Sequence, residues 1–374
     1  MNANLLRSRL LPAVQAALPK QQVRSVTTRS VQWELNTGAK IPAIGFGTFQ
    51  DADAQEEAVK TALKVGFRHI DTARVYDTEI QVGKGIKASG VPREDIFLGT
   101  KLWCNSHHPD DVEAALDASL KDLDTPYVDL FLMHYPCTFQ RGEDRFPKGA
   151  DGKMIMGKTT FVDTWKAMEA LLKTGKTKAI GVSNFSKDEV QTLIDKGSVV
   201  RFNQSQEEKK GERGKGAYER VANYDENQVP AVHQMELHPY LQQKSFVDWQ
   251  RANGIHMTHF SPLGNQNSFY REVSWSKEAS HMARVIDHPT LAEIAKKHGK
   301  TPVQVALAWG VNSGRSVIPK SVIEWQIKEN LESDFLLDGE DMDKIAKMDL
   351  KARFNVPSEE YRWQLYKGLD GVNY

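Results

Sequence analysis

Eight short apolar runs recur along this chain, most of them followed by a stretch with helical periodicity. They lie at 44–47, 67–71 (FRHID), 96–101 (IFLGTK), 127–134 (YVDLFLMH), 178–183 (KAIGVS), 230–236 (PAVHQME), 256–260 (HMTHF) and 316–320 (SVIPK). Strands alternating with helices in this way predict an α/β fold with a parallel sheet. Eight such strands predict a closed (β/α)8 TIM barrel. VQWELNTG and KIPAIGFGTF read as two strands around a turn at Asn36-Thr37-Gly38, an N-terminal β-hairpin. The long connections, 135–158 and the one after the seventh strand, fall at the C-terminal face.

Several helix ends carry chemical signals. Ser186-Lys187-Asp188-Glu189 is a capping box, in which hydroxyl and carboxylate satisfy exposed amides. Thr301-Pro302 is a cap followed by proline at the first helical position. The last helix of this reading is WQIKENLE, 325–332.

Two segments break the rhythm. Residues 1–30 hold Arg7, Arg9, Lys20, Arg24 and Arg29 and no acidic residue, with Leu6, Leu10, Val14 and Leu18 on one helical stripe. This composition predicts a mitochondrial transit peptide; otherwise the segment is a plain leader and the protein cytoplasmic. Residues 200–229 are polar, charged and without apolar periodicity, the composition of a disordered insertion. They are either a translated intron or a lineage-specific loop, on the face opposite the active rim. Residues 275–284 lengthen the loop after strand seven. The barrel proper is expected over 31–374.

Barrel chemistry collects where strands end. Asp71 ends the second run, and Tyr76 follows five residues later in the loop. Lys101 closes the third run and His134 the fourth. An acid, a phenol, an amine and an imidazole at one rim suit proton transfer to a carbonyl oxygen. A lysine cation beside Tyr76 is expected to lower the phenol's pKa, and Asp71 to hold the lysine. His134 can hydrogen-bond the substrate oxygen.

Other functions find less support. Lys+Arg and Asp+Glu balance at 49 each, so no net field favours nucleic acid or an anionic membrane. No apolar run approaches the ~20 residues of a membrane span. Two cysteines, Cys104 and Cys137, make no disulfide framework and suit a reducing compartment. His107-His108 with Cys104 match no zinc pattern, and no metal is expected. Gly45-Phe46-Gly47 lacks the third glycine of a dinucleotide fingerprint. Basic residues Lys209, Lys210, Arg213 and Lys215 are offset by Glu207, Glu208 and Glu212.

From about Val31 onward the chain resembles the aldo-keto reductases. The matching stretches, in the family's order, are GFGTF, HIDTARVYDTEIQVG, TKLW, LFLMHYP, GVSNFS, HQMELHPY, FSPLG and VIPKS. The resemblance implies a monomeric or weakly dimeric barrel that uses NADPH to reduce aldehydes and ketones. It implies Tyr76 as general acid, with Asp71, Lys101 and His134 completing the catalytic set. Ser183, Asn184 and Gln234 would bind the carboxamide, and Thr48 would also touch the cofactor. Phe260 would stack on the nicotinamide where the family usually has tyrosine. Ser261, Leu263 and Asn265 would approach the pyrophosphate. Lys320 and Ser321 would hold the 2′-phosphate, and Glu329 and Asn330 the adenine. Gln326 stands where many members carry arginine, which leaves NADPH preference to Lys320. Phe49, Trp103 and Tyr135 would line the substrate pocket. FSPLGNQN and IPKSVIEWQIKEN resemble fungal members acting on glycerol and glyceraldehyde, which implies small carbonyl or polyol substrates. A cofactor-binding regulatory subunit with slow turnover is the alternative.

Overall fold

The computed structural model describes residues 31–196, 229–264 and 282–372. The leader at 1–30, the insertion apart from Val229, Asn265 and the 275–281 part of the later loop lie outside the described residues. The hairpin is present, as β1 (Gln32–Glu34) and antiparallel β2 (Lys40–Pro42). Gly38 turns it at φ 78°, a conformation glycine adopts without strain.

The barrel strands are β3 (Phe46–Gly47), β4 (His69–Asp71), β5 (Phe97–Leu102), β6 (Leu130–Met133), β7 (Ile180–Ser183), β8 (Val232–Glu236), β9 (His256–Phe260) and β10 (Ser316–Val317). Each pairs in parallel with the next. A parallel bridge between Ile44 and Val317 closes the ring, with Gly45 N donating to Val317 O at 2.8 Å. Several strands are shorter than expected. The first is confined to 46–47 plus the Ile44 bridge, and the eighth stops before Ile318 and Pro319. The third runs one residue further, so Lys101 lies one residue inside its end.

The hairpin plugs one end of the barrel. Leu35 and Ile41 pack with Phe97, Leu130 and Val232, the first residues of their strands. Asn36 Nδ2 donates to Val229 O at 3.1 Å, which puts the downstream end of the 200–229 segment at this N-terminal face.

The helices are α1 (Ala52–Val65), α2 (Glu79–Ser89), α3 (Pro109–Asp122), α4 (Phe161–Leu171), α5 (Lys187–Lys196), α6 (Lys244–Ala252), α7 (Pro289–His298), α8 (Pro302–Asn312), α9 (Glu324–Leu331) and α10 (Gly339–Ala346). Both expected caps form. Ser186 N donates to Glu189 Oε2 at 2.7 Å and Glu189 N to Ser186 Oγ at 3.3 Å, while Thr301 exchanges hydrogen bonds with Gln304. The helix over 325–332 is not the last, because α10 follows it. Its start is a capping box of two aspartates, Asp338 and Asp341, rather than the serine or threonine form. Among the described residues no helix is long and apolar enough to cross a membrane.

Gly181, inside β7, has no room for a side chain. A Cβ there would collide with the Val232 carbonyl oxygen of one neighbouring strand and come within 2.7 Å of Leu132 Cδ2 of the other. Gly181→Ala is therefore expected to destabilise by about 1–3 kcal/mol or more, as overpacking does. Urea unfolding checks this; an unchanged midpoint would mean that the strand shifts freely.

Candidate active site

Four elements bring the expected groups to one rim. Asp71 is the last residue of β4, and Tyr76 ends a one-turn helix at Arg74–Tyr76. Lys101 lies near the end of β5, and His134 directly follows β6. Lys101 Nζ donates to Asp71 Oδ1 at 2.6 Å and to Thr72 O at 2.8 Å, with both Lys101 and Asp71 buried. The same ammonium lies 5.0 Å from the centre of the Tyr76 ring. Thr48 Oγ1 donates to the Asp71 carbonyl at 3.0 Å, which ties β3 to the pair.

The turn that carries Tyr76 rests on a buried acid that the sequence did not single out. Glu79, at the start of α2, accepts from Thr100 Oγ1 at 2.6 Å, Ser119 Oγ at 3.1 Å and Arg74 Nη1 at 3.2 Å. These bonds link α2, β5 and α3 to the Arg74–Tyr76 turn. Three polar residues of suitable type around one carboxylate carry no local pattern, so only the fold reveals them.

The charge states differ from expectation at Tyr76. The phenol is not brought down toward neutrality. Burial raises the Tyr76 pKa well above its ordinary value, and the Asp71 carboxylate raises it further. Burial is the larger cause, because it penalises the charged phenolate. Tyr76 thus retains its proton at neutral pH. Burial lowers the Lys101 pKa, against the pull of Asp71. Burial also holds His134 well below 6.5, with the Lys101 cation and then His107 adding to the effect.

His134 is therefore neutral through the mildly acidic range. Its Nδ1 has no hydrogen-bond partner among the described residues. Reduction rates of the wild type and His134→Gln are expected to run parallel from pH 5 to 8. An inflection near 6.5 in the wild type, absent from the variant, would contradict a neutral imidazole.

The surroundings of these groups are aromatic. Phe49 packs edge-on to Tyr76 at 5.0 Å, and Tyr76 lies 5.8 Å from the His134 ring. Trp103 meets His134 at 5.2 Å, and Tyr135 stacks on it at 5.2 Å. Phe49, Trp103 and Tyr135 thus gather where expected. Two further aromatics join them: Phe146, 5.4 Å from Trp103, and Tyr361, 5.2 Å from Tyr135.

Tyr361 belongs to a tail of successive turns that crosses the rim. Glu236, at the end of β8, accepts from Phe354 N at 2.7 Å and Asn355 N at 2.9 Å. Trp363 Nε1 donates to Glu189 Oε1 at 2.6 Å, and Tyr366 hydroxyl to Asn184 Oδ1 at 2.8 Å. The aromatic density of YRWQLY, 361–366, is the signal that reveals a packed tail in the absence of periodicity.

Of the residues expected around a cofactor, those at or just beyond the ends of β3, β7, β8 and β9 lie on the same rim, several of them in contacts within the protein. Gln234 Nε2 donates to Asp71 Oδ2 at 2.7 Å, so this amide braces the ion pair. Asn184, held at φ 64°, donates to His134 O at 3.0 Å, and Ser183 Oγ donates to Gln234 O at 2.9 Å. Phe260 ends β9; it, Ser261 and Leu263 are half-buried. Lys320 pairs with Asp51 beyond β10. Ser321 Oγ donates to Gln326 Oε1 at 2.6 Å. Glu329 and Asn330 lie on α9, with Asn330 buried.

His107 and His108 have structural partners. His107 Nδ1 meets Thr138 Oγ1 at 3.1 Å, and His108 caps α3 by accepting from Asp110 N.

The chain that builds this barrel and rim also matches a known family model. The model of the Aldo/keto reductase family covers residues 34–350. The chain belongs to the aldo/keto reductase family. It is 43% identical over 330 residues to an uncharacterised oxidoreductase of Schizosaccharomyces pombe, spanning 87% of this chain and 91% of the relative. It is 40% identical over 336 residues to aldo-keto reductase family 1 member A1 of Xenopus tropicalis, spanning 88% and 92%. The structure of aldose reductase from Schistosoma japonicum superposes with a TM-score of 0.75 at 30% identity, covering 90% of this chain and 98% of that one.

This aldo-keto reductase is thus an oxidoreductase that acts on small carbonyl compounds with a nicotinamide nucleotide. The side chains present suit such a nucleotide. A lysine and a serine lie beyond β10, a half-buried phenylalanine ends β9 with a half-buried leucine beyond it, and the amides of Asn184 and Gln234 lie just after β7 and within β8.

Proposed function

We propose that this reductase uses NADPH to convert small aldehydes and ketones, such as glyceraldehyde, dihydroxyacetone and sugar aldehydes, to alcohols. The reverse reaction is oxidation of glycerol and related polyols. The observation that carries the reading is the buried Lys101–Asp71 pair, 2.6 Å apart, beside a tyrosine that keeps its proton. Bound NADPH supplies the hydride. Tyr76 gives its proton to the carbonyl oxygen, and Lys101 stabilises the phenolate that remains. Neutral His134 orients the same oxygen by hydrogen bonding. Gln234 and Thr72 keep Asp71 and Lys101 in register while this happens.

Small hydroxylated substrates suit a pocket whose walls offer Tyr135 and His134 as well as apolar rings. Preference for NADPH rests on Lys320, a partly exposed cation on the rim beyond β10. In the absence of a 2′-phosphate, Asp51 neutralises it.

The test measures kcat/KM for glyceraldehyde with NADPH and with NADH, in the wild type and Lys320→Ala. NADPH is expected to be favoured, and Lys320→Ala to lose about ten- to hundred-fold with NADPH, the worth of a charge-assisted hydrogen bond, while changing little with NADH. Equal losses with both cofactors would remove Lys320 from 2′-phosphate recognition.

A further inference from the structure

At the end of the barrel opposite Tyr76, a solvent-open cavity of about 200 Å³ lies between the hairpin, α6 and the starts of β9 and β10. Its lining includes Arg251, Gly254, His256, Gly314, Arg315 and Glu34. Arg315 is the unusual member. It is only 4% exposed, yet among the described residues its guanidinium makes no salt bridge within 4.0 Å and its Nε has no hydrogen-bond partner. A guanidinium carries five N–H donors, and burying it without an acceptor is costly.

Among the described residues, what contacts the guanidinium supplies no acceptor. The guanidinium carbon lies 4.4 Å over the ring of Trp309 in α8. The residue is also anchored through its backbone, because its carbonyl accepts from Trp33 Nε1 at 3.2 Å. The charged groups nearby are Arg251 and Asp248. Arg251 donates through Nη2 to Ser313 O at 2.7 Å. Asp248 is shared between Lys244 at 2.5 Å and Arg251 at 3.8 Å. His256 brings no charge, since burial lowers it to about 3 and its Nε2 meets Ser316 Oγ at 2.9 Å. Burial, with the Arg251 charge adding, lowers Arg315 itself to about 9, so it remains a cation at neutral pH. Among the described residues the one acid lining the cavity is Glu34, exposed on β1 at its edge.

We propose that this cavity binds a small oxyanion of the phosphate type, held by the buried fork of Arg315 and by Arg251. A planar guanidinium presents paired N–H groups that match two oxygens of such an ion. The stacked Trp309 ring fixes the plane of the fork before the ion arrives. Two cations with no buried acid between them leave a positive recess that an oxyanion neutralises. The site lies apart from the cofactor rim, where Lys320 offers a different phosphate contact.

The test uses inorganic phosphate against chloride at matched ionic strength, in Lys320→Ala so that the rim contact does not contribute. Phosphate is expected to raise the thermal midpoint saturably, as one-site binding to the folded state does, and to change tryptophan fluorescence with the same midpoint concentration. Arg315→Leu in the same background should abolish both signals while leaving the phosphate-free midpoint unchanged or higher, because an unpaired buried charge has gone. Should Arg315→Leu fail to fold, the exposed Arg251→Ala still decides: it should weaken phosphate binding about ten- to hundred-fold. No saturable signal in Lys320→Ala, or equal phosphate affinity in either arginine variant, would overturn the proposal.

Discussion

Tyr76→Phe is expected to reduce carbonyl reduction by about 10²–10⁴-fold, the range of a positioned general acid. The change removes one oxygen and keeps the ring that packs 5.0 Å from Phe49 and 5.8 Å from His134. Cofactor affinity and folding should therefore change little. The variant separates proton donation from binding, because both kcat and kcat/KM should fall while the dissociation constant for NADPH stays put. Steady-state kinetics with glyceraldehyde, beside a fluorescence titration with NADPH, measure both. Turnover within threefold of wild type would remove Tyr76 from the acid role.

Lys101→Met should damage stability as well as activity. The lysine is 1% exposed and the carboxylate it pairs with 3% exposed. Removing the cation leaves Asp71 with its Gln234 contact at 2.7 Å but no counter-charge. Breaking a buried pair in this way costs about 3–5 kcal/mol. Adding Asp71→Asn in the same chain removes the stranded charge and should recover part of that loss. Activity should stay low in the double variant, because nothing then stabilises the Tyr76 phenolate. Urea unfolding of the three proteins measures the first effect and NADPH oxidation the second. A Lys101→Met protein as stable as wild type would show that the pair is not held as tightly as its geometry implies.

Much of the scaffold was legible because it is written locally. β9 occupies the expected residues, 256–260, and the caps at Ser186 and Thr301 form as their side-chain chemistry requires. Asp71, Lys101 and His134 were placed by a rule about strand ends that needs no long-range information. What the sequence hid depends on distant partners. Glu79 gathers Thr100 and Ser119, and Glu236 gathers the amides of Phe354 and Asn355. No spacing along the chain announces either set. α10 escapes the same rule because its cap is Asp338 with Asp341 rather than serine or threonine with glutamate or glutamine.

The sign of the Tyr76 shift is hidden from the sequence for a related reason. Proximity to a lysine is readable once both groups share a rim. The balance between that cation, the neighbouring carboxylate and burial is settled only by packing from several loops. Likewise, amides expected to face the nucleotide also brace the protein: Gln234 on Asp71, and Asn184 on His134 and Tyr366.

The central claim is that Tyr76, Lys101, Asp71 and His134 form a working carbonyl-reducing centre. Its most direct test is NADPH consumption by the full chain at neutral pH with glyceraldehyde, followed in parallel with NADPH quenching of tryptophan fluorescence. The account predicts both signals, with consumption that depends on the aldehyde. Quenching without consumption, across glyceraldehyde and a series of small aldehydes and ketones, would contradict it and identify a barrel that binds the nucleotide without reducing carbonyls.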